Sequence, residues 1–424
     1  MKKTFLLSTI TASLLLAGGD ITEAETLSTL DIGVPLSHTK VLPGEVFNHI
    51  QLTDYTIVEG SYTDAYLNTG LTVEGGNQDQ TSYDAYIGAN TNMLYTTAAY
   101  SWSLNGIADG AWSRGPNSTD ETVKSYNAFV SSKFDKYFFN DNTWFGYGSV
   151  DLGYRKQSTA NSADDPFFKV GAGVGYGRVY DATPLAKAMR IIEDLIGYKL
   201  VDPDISEEAV FAMAKVIDLE DEYISKYGST EYKKYWYQAM ETSLRKSDVL
   251  TGDDLGAFGI VRISEVLDIQ KVAPRYHGWK VRAGFGKIVS NYDGQSEDAT
   301  LDFGFEYGLP MGHEAQFTEN ASLSTVLNSD SNLAYTTQNQ MTYTYEISDR
   351  IDWENTWQLG YDVYDEGDNV LSNTLSTGFR YYLANRLTYD ITLSMAKTDG
   401  TNGQSVETPD WDSKFYTGIT YRLK

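Results

Sequence analysis

From Phe167 to Arg178 the chain alternates strictly: Phe168, Val170, Ala172, Val174 and Tyr176 share one parity, and Gly171, Gly173, Gly175 and Gly177 share the other. Successive side chains of a strand point to opposite faces, so this is a strand with one apolar face and one bare face. A helical-looking stretch follows at 183–274. Strand character then returns, with Trp279, Val281, Ala283 and Phe285 alternating with Lys280, Arg282, Gly284 and Gly286. Glycine weakens a strand, so a row of it marks sharp curvature or close approach by other backbone. Two glycine-faced strands flanking a helical insertion predict that a helix packs on Gly171, Gly173, Gly175, Gly177, Gly284 and Gly286. A dinucleotide-binding loop is excluded by spacing. Its G-x-G-x-x-G must turn from strand into helix within the glycines, whereas these glycines keep the strand period.

The same period recurs along the chain. Ala65, Leu67, Thr69, Leu71 and Val73 oppose Tyr66, Asn68, Gly70 and Thr72; further segments follow at 83–89, 94–104, 126–134 and 149–155. Beyond the insertion, Leu301, Phe303, Phe305 and Tyr307 oppose Asp302, Gly304 and Glu306. Similar segments continue to Phe415, Ile419, Tyr421 and Leu423. About fourteen strands result, an even number as in bacterial single-chain barrels, each near the length a tilted strand needs to cross a bilayer. A soluble sandwich would also alternate, so the connections decide. Odd-to-even connections are long and polar, at 75–81, 105–121, 156–166, 290–298, 328–332, 365–368 and 397–409. Even-to-odd ones are tight, as at 90–92, 348–349 and 384–385. Long on one side and short on the other is the outer-membrane pattern, with the short turns and the insertion on the periplasmic side. The expected fold is an all-β transmembrane barrel, strands 1–6 in 64–182 and strands 7–14 in 275–424, carrying an α-helical insertion at 183–274 as a periplasmic cap or plug.

Composition is consistent with export. Residues 1–24 have the basic start and apolar middle of a signal peptide, and 25–63 reads as a periplasmic or lumen segment. The chain has no cysteine, which rules out a disulfide framework. A mean hydropathy of -0.37 does not argue against a membrane barrel, because alternation hides the apolar face from the average. The net charge of -25 argues against nucleic acid, which needs clustered basic residues.

The chain resembles Gram-negative outer-membrane β-barrels of the porin-like kind. Its Gly418-Ile419-Thr420-Tyr421-Arg422-Leu423 is similar to the terminal signal read by the barrel-assembly machinery, with Gly418, Tyr421 and Leu423 as the assembly residues. That signal usually closes on an aromatic, whereas Leu423 and Lys424 end this chain. The resemblance implies outer-membrane lipid, lipopolysaccharide and the assembly machinery as partners.

Within the insertion, Thr183-Pro184 starts a helix with Leu185, Ala188, Met189, Ile192, Leu195 and Ile196 at helical spacing. Ser206 opens a second helix that Gly228 closes, Ser229 opens a third, and a fourth runs over 254–269. A fourteen-strand barrel has a backbone diameter of roughly 28 Å, and side chains leave room for one helix of about 10–12 Å. The bundle should therefore cap the mouth, with at most one helix entering against the glycine strand.

The inward parity is mixed in charge: Asp151, Asp302, Glu306, Asp352, Glu354, Asp362 and Asp390 against Lys169, Lys280, Arg282, Arg380 and Arg386. Opposed charged rows set selectivity in a pore by their field; mutual neutralisation is the plainer reading. His277 and His313 have no serine at triad spacing, so a barrel-wall hydrolase is disfavoured. The loops Asp365-Glu366-Gly367-Asp368 and Asn328-Ser329-Asp330 lack full calcium-ligand spacing. No metal site, catalytic residue or cofactor is expected. The expected function is an outer-membrane channel for polar solutes or polymer, partly closed by the helices. The alternative is an envelope assembly or interaction protein whose barrel anchors helices that bind a periplasmic partner, or loops that bind a surface glycan.

Overall fold

The computed structural model describes residues 46–424 except 77, 139–142, 158–164, 270–271, 293, 297, 329–332, 349, 365–368, 385–386, 401–409 and 423–424. The expected signal peptide at 1–24, most of the 25–63 segment, Arg386, Leu423 and the 365–368 loop lie outside these.

Fourteen antiparallel strands form one closed ring. The first six are β1 (Gly60–Glu74), β2 (Ser82–Thr96), β3 (Tyr100–Arg114), β4 (Val123–Tyr137), β5 (Trp144–Gln157) and β6 (Phe167–Asp181). After the helices come β7 (Tyr276–Ser290), β8 (Ala299–Met311), β9 (Ala315–Val326), β10 (Leu333–Ser348) and β11 (Ile351–Tyr364). The ring is completed by β12 (Val370–Ala384), β13 (Leu387–Asp399) and β14 (Asp412–Arg422). Each strand pairs with its sequence neighbours, and β14 returns to β1 through Tyr66–Thr69 against Ile419–Arg422. Closure leaves no unpaired edge, which a barrel in lipid requires.

The two ends differ as expected, with one correction. The predicted turn at 90–92 is strand, and of the predicted loop at 105–121 only 105–114 is strand, the loop itself being confined to 115–122. Asn90 and Asn92 sit inside β2, paired with Ile107 and Asn105 of β3, and the tight turn is at 97–99. Their parity faces inward, where an amide is at home, so two asparagines close together there are no turn signal.

The face opposite to the glycines of β6 points outward and is aromatic at both ends. Near the short turns a belt of ring contacts runs around the wall. Tyr100 stacks on Phe134 at 5.7 Å, and Tyr176 touches Trp144 at 5.0 Å and Trp279 at 5.8 Å. Farther round, Trp353 meets Tyr343 at 6.3 Å and Phe379 at 6.4 Å. At the other end Trp112 meets Tyr126 at 5.8 Å and Tyr335 meets Tyr361 at 6.4 Å. Trp102 and Trp112 mark the two belts on β3. Ten residues of strand tilted by ~40° separate them by roughly 25 Å, the height of the apolar band of a transmembrane barrel.

The packed apolar core lies in the helical region, not in the barrel. Helices α1 (Thr183–Gly197), α2 (Glu207–Asp218), α3 (Glu220–Lys246) and α4 (Gly256–Ser264), the last extended by a π-turn at Glu265–Ile269, bury Leu185, Ile191, Ile192, Leu195, Met213, Trp236 and Met240. Each fully buried side chain of this kind contributes about 1.5–3 kcal/mol. Among the described residues, no helix is long and apolar enough to cross a membrane.

Three expectations need adjusting here. Phe47, Ile50, Leu52 and Tyr55 complete the helical core, so this part of the 25–63 segment belongs to the bundle, and β1 begins at Gly60. Gly228 does not close α2. It kinks α3, its φ of 76° and ψ of 159° interrupting the helix. Thr183 is the first residue of α1 rather than its cap, and its N–H donates to the Asp181 carboxylate at 2.9 Å. Ser206 caps α2 as read, accepting from the Ala209 N–H at 3.3 Å.

Candidate functional site

Residues paired across strands share a face, and the register places eleven of the twelve predicted pore-lining residues on the inward one. Asp151 pairs with Lys169, Lys280 with Glu306, Gly284 with Asp302, Thr344 with Glu354, Thr336 with Asp362, and Arg380 with both Asp352 and Asp390. Arg386, the twelfth, is outside the described residues.

The glycine face does a different job from the one expected. A Cβ on Gly175 would lie 2.2 Å from Phe145, one on Gly173 would lie 2.7 Å from Tyr147, and one on Gly284 would lie 2.4 Å from the Tyr147 hydroxyl. Gly171 is covered by Ser149, and Gly286 by Asp302, Thr300 and Lys169. Gly177 lies against the Trp279 carbonyl, with φ at +96°. No helix atom is among these near neighbours, so the plug-packing role of the six glycines is not what the structure shows. The barrel's own aromatics fill the space, because a strand without side chains lets β5 side chains lie flat and β6 and β7 curve tightly.

Over that bare floor, groups from distant strands meet. Arg282 donates to Asp135 of β4 at 2.9 Å and also pairs with Glu306. Lys280 reaches Asp135 at 3.3 Å and Glu306 at 3.1 Å. The Arg282 guanidinium lies 5.7 Å from the centre of the Phe145 ring. Toward the long loops, Lys169 faces Asp302 at 3.5 Å. Across the ring, Arg380 donates to Asp390 at 2.6 Å and Tyr382 donates to Asp352 at 2.5 Å. The middle of the wall from β9 to β12 is uncharged: Asn320, Ser322, Gln338, Gln340, Gln358, Ser372 and Thr374 help line an inner cavity of about 490 Å³, with Arg282 and Glu306 on its charged side.

Burial divides this lumen by height. Gln338, Gln340, Gln358 and Asn320 at mid-wall are exposed. The buried polar strand residues, among those described, are Asp64, Asp135, Arg178, His277, Gln316, Glu346, Asp352 and Asp390. All lie within about five residues of a short-turn end, on strands spread around the ring. Arg178 is turned inward just after Gly177, donating to Thr97 O at 2.5 Å and lying 4.3 Å from the centre of the Tyr137 ring.

The helical region touches the ring at that same end. Asp218 of α2 abuts Gly60 of β1, and Ser61 donates to Asp221 of α3 at 2.5 Å. On β10, Glu346 pairs with Arg190 of α1, accepts from the Ala273 N–H at 2.7 Å and lies 3.1 Å from Arg275. Arg275, wholly buried, also donates to the His313 carbonyl at 3.1 Å. His277 Nε2–H donates to Tyr55 O at 2.7 Å and His313 Nε2–H to Ile50 O at 3.3 Å, so both histidines fasten the segment before β1. Burial, with the charge of Asp181 next, pushes the Asp218 carboxyl up to about 8. Burial pushes the His313 imidazole down.

Sequence reasoning missed Asp135, Arg178, Arg190, Arg275, Gln316 and Glu346. For Asp135 and Gln316 their inward parity was a usable signal; Arg190 and Arg275 carry none. Of the assembly residues, Gly418 faces inward and Tyr421 outward opposite Leu67 and Leu387.

A closed, even-numbered antiparallel barrel with apolar belts outside and polar side chains within has the architecture of outer-membrane β-barrels. No protein-family model and no curated protein sequence matches the chain. Among solved structures, the CymD monoaromatic hydrocarbon channel aligns over 90% of this chain and 93% of its own, at 11% identity and a TM-score of 0.31. Acinetobacter baumannii OccAB1 aligns over 87% and 98%, at 8% identity and 0.32. OmpT of Vibrio cholerae aligns over 86% and 100%, at 8% identity and 0.31. Likeness at this level carries no argument about what passes through the barrel.

Proposed function

We propose that the protein is an outer-membrane channel for polar solutes, held partly shut at its periplasmic end by the helical domain. The short-turn end is then periplasmic, and the wall meets outer-membrane lipid and lipopolysaccharide. The observation that carries this reading is the burial of polar side chains all round one end of a lumen whose mid-wall amides are exposed. Desolvated acids and arginines persist only where other groups replace water. Barrel residues replace water at Asp135, Asp352 and Asp390, and the helical contacts supply the rest of the cover, reaching both β1 and β10, well apart on the ring. Uncharged amides and hydroxyls at mid-wall suit hydrated polar solutes, while the Asp135–Lys280–Arg282–Glu306 group sets the local field.

A second reading, the barrel as anchor for a domain that binds an envelope partner, draws on Phe258 and Val261 of α4, which are 78% and 54% exposed. One experiment separates the two. Ala182 N–H donates to Arg275 O at 2.7 Å, so a short turn can replace 183–274 without moving β6 or β7. In planar bilayers the deletion should raise single-channel conductance well above that of the whole chain. Unchanged conductance, from a barrel shown to be folded by heat-modifiable migration, would overturn the channel-and-plug reading.

A further inference from the structure

We infer that the outer face of β9–β12 is the contact between two copies of this chain, packed patch to patch about a two-fold axis in the membrane. The inference goes beyond the channel reading and needs only that the barrel spans a bilayer. Most of the outward parity is what lipid demands: aromatic, aliphatic, small or hydroxyl side chains, with charged residues confined to the last few positions of strands. Glu319 breaks that rule. It stands on the outward parity of β9, paired with Tyr307 on one side and Met341 on the other, with Phe317 and Ala321 before and after it. Its carboxylate accepts from Asn339 of β10 at 3.1 Å, and the Asn339 side-chain oxygen is buried without a partner.

Two more outward amides, Asn355 of β11 and Asn373 of β12, lie on the neighbouring strands, opposite Tyr343 and Leu359 respectively. Among the described residues, the outward amides all fall on β10–β12, and Glu319 is the one outward acid away from a strand end. Hydrocarbon offers such groups neither donor nor acceptor.

Between them the wall is dented. A hollow of about 360 Å³ is lined by Phe317, Met341, Trp357, Leu375 and Leu393, with Asn355 at its edge. An apolar hollow with polar groups around it is the anatomy of a protein interface, not of a lipid-bathed wall. The occupant follows from complementarity. The acceptor at Glu319 needs amide donors at the same depth, and among the described residues only the same patch presents them on the outward face. Packing two patches about a two-fold axis brings each acid against the other's amides, the isologous arrangement in which one surface complements itself. Phe415, 68% exposed on β14 and paired with Leu393 at the hollow's rim, is the side chain available to enter the partner's hollow.

The absence of cysteine allows a direct test. Single cysteines at Met341, Leu375 and Leu393 would be introduced into the full chain and oxidised mildly in unextracted outer membranes. Controls would be Val150→Cys and Ala172→Cys on β5 and β6, on the far side of the ring. At least one patch cysteine should give a disulfide-linked dimer and the controls should not. Glu319→Leu should lower the dimer fraction several-fold in native mass spectrometry from mild detergent, while Glu319→Gln should retain it. Crosslinking no greater at the patch than at the controls would overturn the proposal. So would a wild-type monomer, including one that carries a retained lipid, which would assign the hollow to lipid.

Discussion

Removing the Glu346 carboxylate should unfasten the helical domain from the barrel. Glu346 is 3% exposed and Arg275, which it holds at 3.1 Å, is fully buried. The same carboxylate pairs with Arg190 on α1 and accepts the Ala273 N–H. Deleting one partner of a buried ion pair costs about 3–5 kcal/mol, because the other charge is left without compensation. Arg275 keeps its bonds to the His313 and Ala273 carbonyls, so Glu346→Ala belongs at the lower end, about 3 kcal/mol. At about 1.4 kcal/mol per factor of ten, that shifts the docked-to-undocked ratio by roughly a hundredfold. Glu346→Gln still accepts from Ala273 and should cost less. The assay is single-channel recording together with limited proteolysis at the Gly228 kink of α3. The alanine variant should spend more time in the high-conductance state and be cut faster. If a folded Glu346→Ala protein gates and resists protease like the parent, the contact does not hold the domain and the reasoning fails.

Three other outcomes follow from the same geometry. The Asp218 carboxyl, raised to about 8, is held neutral at the helix–barrel junction. A raised folded pKa gives stability that is complete below the unfolded value near ~4 and is lost as pH rises to about 8. Docking measured by conductance or thermal unfolding should therefore weaken over that window by on the order of 1–3 kcal/mol, and Asp218→Asn should flatten the dependence. Gly284→Ala would put its Cβ 2.4 Å from the Ala172 carbonyl, so that β6 and β7 must part. Overpacking of this kind costs about 1–3 kcal/mol, and the folded, heat-modifiable fraction should fall. Trp236→Ala, which empties the centre of the bundle, should cost about 3–5 kcal/mol and open the channel without lowering barrel yield.

The barrel was legible because its rule is local. Alternation is written in each strand, and the asymmetry of loop lengths is written between them, so strand number, closure and inward residues could be read without knowing any distance. Boundaries failed where a residue type had two uses: Asn90 and Asn92 resemble turn residues but are lumen residues of β2. The site was less legible because its contacts are long-range. Asp135 and Arg282 are 147 residues apart, and nothing in the period says that β4 reaches over a bare β6 to β7. The glycine rows were informative about curvature, yet the side chains filling that space came from β5, not from a helix. Glu346 alternates as any lumen acid would, and only the fold reveals that Arg190 of α1 and the Ala273–Arg275 segment leading into β7 converge on it.

The strand ladders close on themselves, and the helical core is separate from the wall, so neither unit needs the other's apolar surface. Polar contacts of Ser61 and Glu346 at the short-turn end link them, among other polar groups buried there. Asp64, Asp135, Gln316, Glu346, Asp352 and Asp390 are nearly dry in the whole chain. In a chain lacking 183–274, water should replace the lost cover. A carboxylate loses far less from exposure than a leucine does, so the truncated barrel should remain folded while its mouth becomes wet. A cysteine placed at Gln316 should then react quickly with a water-soluble maleimide in the truncated protein and slowly in the whole chain. Equal rates would mean that the helices do not keep that end dry, and that the barrel wall alone buries its own polar rim.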